Sequence, residues 1–150
     1  MIDLDEARTL MDAGDRDLSA LRGMEDTSVF ADEIVGFHVQ QAAEKFLKAW
    51  LVLWSESYPL THNLARLLTL LQDKTPAAAQ FRDLNEYTAY AVQFRYDAME
   101  SESAPINREE AVQRLEALYQ QVRRRLAEVE KTRKTNDDDQ DCDSATQNLD

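Results

Sequence analysis

The sequence predicts an all-α protein of five helices, and three observations carry that prediction. Apolar residues recur at spacings of three and four through most of the chain, as they do in helices with one buried face. Three glycines and three prolines in 150 residues are too few for the tight turns that strands require. Neither the period-two alternation of half-buried strands nor an internal repeat is present. A chain of this length suits one domain with a sizeable core. The expected domain spans residues 1–131, and residues 132–150 read as a disordered acidic tail.

In the first helix Leu4, Ala7, Met11, Gly14, Leu18 and Leu21 form the buried seam. Asp3 followed by Glu6 resembles a capping box. Gly14 on the seam lets a neighbouring helix come close, at about 1 kcal/mol of helix propensity. Residues 22–28 are a polar connection, and Thr27 or Ser28 is the expected cap of the second helix.

The second helix is the centre of the chain. Residues 37–54, FHVQQAAEKFLKAWLVLW, are the most apolar long run and hold both tryptophans. At 100° per residue, Val35, Val39, Ala42, Ala43, Phe46, Leu47, Ala49, Trp50, Leu53 and Trp54 fill a broad apolar arc. His38, Gln41, Lys45 and Lys48, with Glu44 beside them, form a narrow polar stripe opposite. This helix is expected to end near Glu56, because Pro59 disfavours helical geometry at Tyr58.

Thr61 is the expected cap of a short third helix carrying Leu64, Leu67, Leu68 and Leu71. Thr75-Pro76 is a strong start for a fourth, reaching about residue 99. Its stripe includes Leu84, Thr88 and Ala91, and the next step is Arg95. Asn107 caps the fifth, with Glu109 and Glu110 in its first turn. Leu115, Leu118, Val122, Leu126 and Val129 form the inner face of that helix, and Arg123, Arg124 and Arg125 suit its negative end.

The net charge is −12. Six of those negatives sit on Asp137, Asp138, Asp139, Asp141, Asp143 and Asp150 with no base among them, which leaves the rest of the chain at −6. Diffuse attraction to nucleic acid is therefore excluded, and binding would need a local basic patch. Cys142 stands alone, which fits a reducing cytoplasm. The first residues show no secretory leader, and no apolar run reaches the roughly 18 residues of a membrane span.

Metal binding finds no support. His38 and His62 are the only histidines, and there is neither a Cys pair nor a His-Glu-x-x-His motif. Gly14, Gly23 and Gly36 are isolated, so no phosphate loop exists. No serine or cysteine sits in a nucleophile motif. The remaining candidates are cations and amides. The stripe is either a solvated face, with Glu44 and Lys48 paired, or a groove offering two ammonium groups to phosphate. His62 either bonds to a neighbouring helix or faces that groove. Arg95, on an apolar stripe, needs an acidic partner or a cavity that takes an anion.

Three segments carry a resemblance. Phe37-His38-Val39-Gln40-Gln41-Ala42-Ala43-Glu44-Lys45, with Leu47-Lys48 after it, resembles the signature helix of the HEPN superfamily, the higher eukaryote and prokaryote nucleotide-binding domain. Pro59-Leu60-Thr61-His62-Asn63-Leu64 resembles its following Thr-His-x-Leu turn, and Phe94-Arg95-Tyr96-Asp97 its Arg-Tyr-Pro-type fourth-helix end. The likeness runs in order from about residue 4 to residue 126. It implies an up-and-down antiparallel bundle that pairs as a homodimer. It implies a nucleotide or RNA ligand and a minimal nucleotidyltransferase partner in a toxin–antitoxin or defence system. It names no cofactor. Gln41, Lys45, Lys48, His62 and Arg95 are the candidate phosphate-binding residues.

Many relatives are metal-independent ribonucleases that use an arginine followed four to six residues later by histidine. Here the departure is clear. Tyr96, Asp97, Ala98, Met99, Glu100, Ser101 and Glu102 follow Arg95, and neither histidine has an arginine at the required spacing before it. The proline of the fourth-helix motif is also missing. The leading expectation is a non-catalytic binding module. The alternative is a ribonuclease toxin with an atypical site using Arg95 and His62.

Overall fold

The computed structural model describes residues 1–91 and 104–145. Among these residues five helical elements follow one another: α1 (Leu4–Arg22), α2 (Asp32–Leu53), α3 (Leu64–Gln72), a 3₁₀ helix (Pro76–Ala91) and α4 (Arg108–Ala145). No strand occurs among the described residues. The all-α bundle predicted from periodicity is the observed architecture.

Asp3 starts α1, its carboxylate accepting the Glu6 amide at 3.0 Å. The buried face is Leu4, Ala7, Met11, Gly14, Leu18 and Leu21, the seam read from the sequence. A Cβ on Gly14 would come within 2.6 Å of Phe46 Cε1, so the missing side chain is what lets α1 lie against α2.

α1, α3, α4 and the 3₁₀ helix all pack on α2. Trp50 meets Phe81 edge-on at 6.2 Å between centroids, and Phe46 tilts against Tyr119 at 5.4 Å. Each such buried side chain contributes roughly 1.5–3 kcal/mol. The ends of α2 differ from expectation. Its N-cap is Ala31, without a side-chain bond. Ser28 is engaged elsewhere, giving its amide and hydroxyl to Asp26 at 2.9 and 2.6 Å in a local turn. At the other end the helix stops at Leu53. Two residues later Ser55 takes a left-handed φ of 59°, which turns the chain before Glu56.

α3 is capped by Asn63, which accepts the Arg66 amide at 3.3 Å, and not by Thr61. The Thr61 hydroxyl accepts the Asn63 amide at 3.1 Å and so sets the turn one step earlier.

The fourth element is the largest departure. Its buried residues are Ala78, Phe81, Leu84, Tyr87 and Tyr90, one at every third position. A 3₁₀ helix stacks i and i+3 on one edge, so this spacing gives a continuous buried edge at three residues per turn. Thr88 is not part of that edge. Its hydroxyl accepts the Leu64 amide at 3.2 Å and donates to Asn85 at 3.0 Å. Any continuation toward residue 99, including Arg95, lies outside the described residues.

Asn107 caps α4 as expected, accepting the Glu110 amide at 3.1 Å. Ala111, Leu115, Leu118, Val122 and Val129 are buried. Helical backbone then continues to Ala145, past the boundary expected at 131/132. What ends there is packing, since residues 131–141 are all exposed. The Thr132 and Thr135 hydroxyls bond back to the carbonyls of Glu128 and Lys131 at 3.0 and 3.1 Å. No helix among the described residues is long and apolar enough to cross a membrane.

Candidate functional site

The polar stripe of α2 exists, but its charges are already matched. Helix geometry puts His38 and Lys45 near one edge and Glu44 and Lys48 near the other, roughly 100° round, with Gln41 between. Each edge is organised by one carboxylate that binds a lysine with one oxygen and a histidine with the other. On the α1 side, Asp17 Oδ2 takes Lys45 Nζ at 2.6 Å and Asp17 Oδ1 takes His38 Nδ1 at 3.0 Å. On the α3 side, Glu44 Oε1 takes Lys48 Nζ at 2.6 Å and Glu44 Oε2 takes His62 Nδ1 at 2.9 Å.

Glu44 sits deepest, with its side chain 9% exposed. Burial alone would push its carboxyl upward in pKa. Hydrogen bonds from Lys48, Gln40 and His62 outweigh burial and hold it below the ordinary carboxylate value. The donors are fixed by the chemistry of the acceptor. An ionised carboxylate only accepts, so Gln40 Nε2 donates to it at 2.7 Å. Gln40 Oε1 is then left to accept Gln41 Nε2, also at 2.7 Å. In the neutral form of either histidine the same logic points the Nδ1–H at its carboxylate and leaves Nε2 as an acceptor. Gln40 Nε2 also reaches the His62 carbonyl at 3.1 Å, tying the turn before α3 to α2.

Four of the five residues named from sequence, Gln41, Lys45, Lys48 and His62, therefore belong to two adjoining networks on one face. Arg95 lies outside the described residues. The Glu44–Lys48 pair was legible from its i,i+4 spacing. Asp17 and Gln40 were missed. Asp17 precedes the seam residue Leu18, and Gln40 is wholly buried inside what reads as an amphipathic helix. Of the three arginines near the end of the inner face of α4, Arg123 and Arg124 are exposed. Arg125 is structural: its guanidinium lies 3.6 Å from the Trp54 ring centroid, and its Nε donates to the Leu53 carbonyl at 3.2 Å.

A separate cleft of about 440 Å³ opens between the 3₁₀ helix and the start of α4, beside Tyr87, Tyr90 and Ile106. Its rim carries Asp83, Glu86 and Glu110 against Arg114, which is already paired with Asp83. That balance opposes an anionic ligand. No group of His, Cys, Asp and Glu suited to a metal ion occurs among the described residues.

A family model described as HEPN domain matches residues 7–129 of the chain. No curated protein and no solved structure gives a match.

Proposed function

Because this chain belongs to the HEPN domain family, a nucleotide- or RNA-related module in general terms, we propose that it binds a nucleotide or an RNA segment on the polar face of α2 without cutting it. Gln41, Lys45, Lys48 and His62 are the binding residues on this reading, with Arg95 as a further candidate. The observation that carries it is the gathering of those four side chains on one face, held in place by Asp17, Glu44 and Gln40. The missing arginine–histidine spacing supports binding over cleavage. The family likeness extends the proposal to a cytoplasmic homodimer acting beside a minimal nucleotidyltransferase in a toxin–antitoxin or defence system.

Thermal unfolding with a panel of nucleotides tests the binding. A ligand at about 100 times its dissociation constant adds about 2.7 kcal/mol. A panel that leaves the transition unmoved, with Lys45→Ala behaving like the parent chain, defeats the proposal.

One observation favours the second reading, a ribonuclease. His62 is 61% exposed while its Nδ1 is held by the 9%-exposed Glu44. A carboxylate that fixes the tautomer of an exposed imidazole is the arrangement of a general base. RNA cleavage by the purified chain, lost in His62→Ala, would install that reading instead.

A further inference from the structure

We infer that the α2 face recognises the hydrogen-bonding edges of a nucleoside and not the charge of a phosphate backbone. The inference rests on the binding face proposed above and names the part of the ligand that the face reads.

The first ground is charge. Lys45 and Lys48 are each bonded to a carboxylate at 2.6 Å. The two lysines, Asp17 and Glu44 sum to zero. The surrounding chain is net negative. Such a face has no unpaired cation to release the counterions condensed on a nucleic acid and no long-range pull on a polyanion.

The second ground is free hydrogen-bonding capacity. On this face Gln41 Oε1 carries no hydrogen bond from another described residue, nor do His38 Nε2 and His62 Nε2, which are acceptors in the neutral imidazole. Lys45 spends one of its three N–H donors on Asp17. Fixed acceptors on both sides of Gln41, with a donor at one edge, suit the mixed donor and acceptor edges of a base and the hydroxyls of a ribose. The buried Gln40–Glu44 bond orients Gln41 and His62 together, so these acceptors are preorganised.

The test titrates three probes into the full chain by calorimetry: an uncharged nucleoside, its 5′-monophosphate and a short single-stranded oligoribonucleotide. Each is measured at 50 and 200 mM salt. Nucleoside and monophosphate are expected to bind within about threefold of each other, with affinities that salt leaves nearly unchanged. Gln41→Ala is expected to weaken both by tenfold or more. Asp17→Asn supplies the converse arm. It frees Lys45 from its counter-charge, so oligoribonucleotide affinity should rise and become salt-dependent, with circular dichroism confirming the fold.

An oligoribonucleotide that binds the parent chain while the nucleoside does not, losing about 20-fold or more over that salt range, overturns the inference. That outcome leaves the binding proposal standing. Silence from all three probes overturns both.

Discussion

Glu44 shows how one side chain can be read correctly as a pair and still be misjudged. Its i,i+4 partner Lys48 follows from the sequence alone. Its burial does not, because the covering groups come from Gln40 and from the turn that carries His62. The usual exposed i,i+4 pair gives a few tenths of a kcal/mol. A carboxylate with three charged or polar donors inside the fold is different. Glu44→Gln keeps the shape and removes the charge, so we expect a loss of about 1.5–3 kcal/mol at pH 7. The pKa of the carboxyl is lower in the folded chain than in the unfolded one. Its contribution is therefore complete above the unfolded value of 4.5 and fades as pH falls through the lower folded value. Urea midpoints of parent and variant should differ at pH 7 and converge in acid. Curves that stay parallel down to pH 3 would show that the network does not stabilise the ionised form.

At the scale of elements, legibility divides by whether one helix or two must be known. The seam of α1, its Asp3 cap and the Asn107 cap of α4 are local, and each is as read. The 3₁₀ helix was hidden because its apolar residues are spaced by three. At 100° per residue, three positions so spaced spread over roughly 120° and pass for the stripe of an ordinary α-helix, and only all five together, over roughly 240°, do not. Asp17 was hidden because its partners His38 and Lys45 lie on α2. Contacts between elements also decide what glycine does. At Gly23 an added Cβ would meet only the Ala20 carbonyl at an ordinary 3.5 Å, whereas at Gly14 it would strike the buried Phe46 ring. Alanine gains about 1 kcal/mol in helix propensity. Overpacking a core costs about 1–3 kcal/mol. Gly14→Ala is thus expected to destabilise by up to about 2 kcal/mol net, while Gly23→Ala stays within about 0.5 kcal/mol of the parent. Chemical denaturation of both checks this, and a stabilised Gly14→Ala would mean that α1 and α2 are not pressed together there.

For the whole molecule, the two tryptophans and the long last helix report on different things. Trp50 and Trp54 both lie at the C-terminal end of α2, on which every other element packs. Trp50 is 2% exposed, and Trp54 is clamped by Arg125 from α4. Their fluorescence therefore follows the loss of the entire core and should change in one cooperative step. Residues 131–141 contribute helical backbone and no buried side chain. A helix that is polar all round and carries Asp137, Asp138 and Asp139 toward its negative end has little to hold it. This segment is expected to melt on its own, below the transition of residues 1–131. Far-ultraviolet circular dichroism should then lose signal gradually before the fluorescence step and join it only for the remainder. Deleting residues 134–150 should abolish the early loss and leave the fluorescence midpoint where it was. If the two probes coincide over the full range, the outer turns of α4 are held by something beyond the chain's own core.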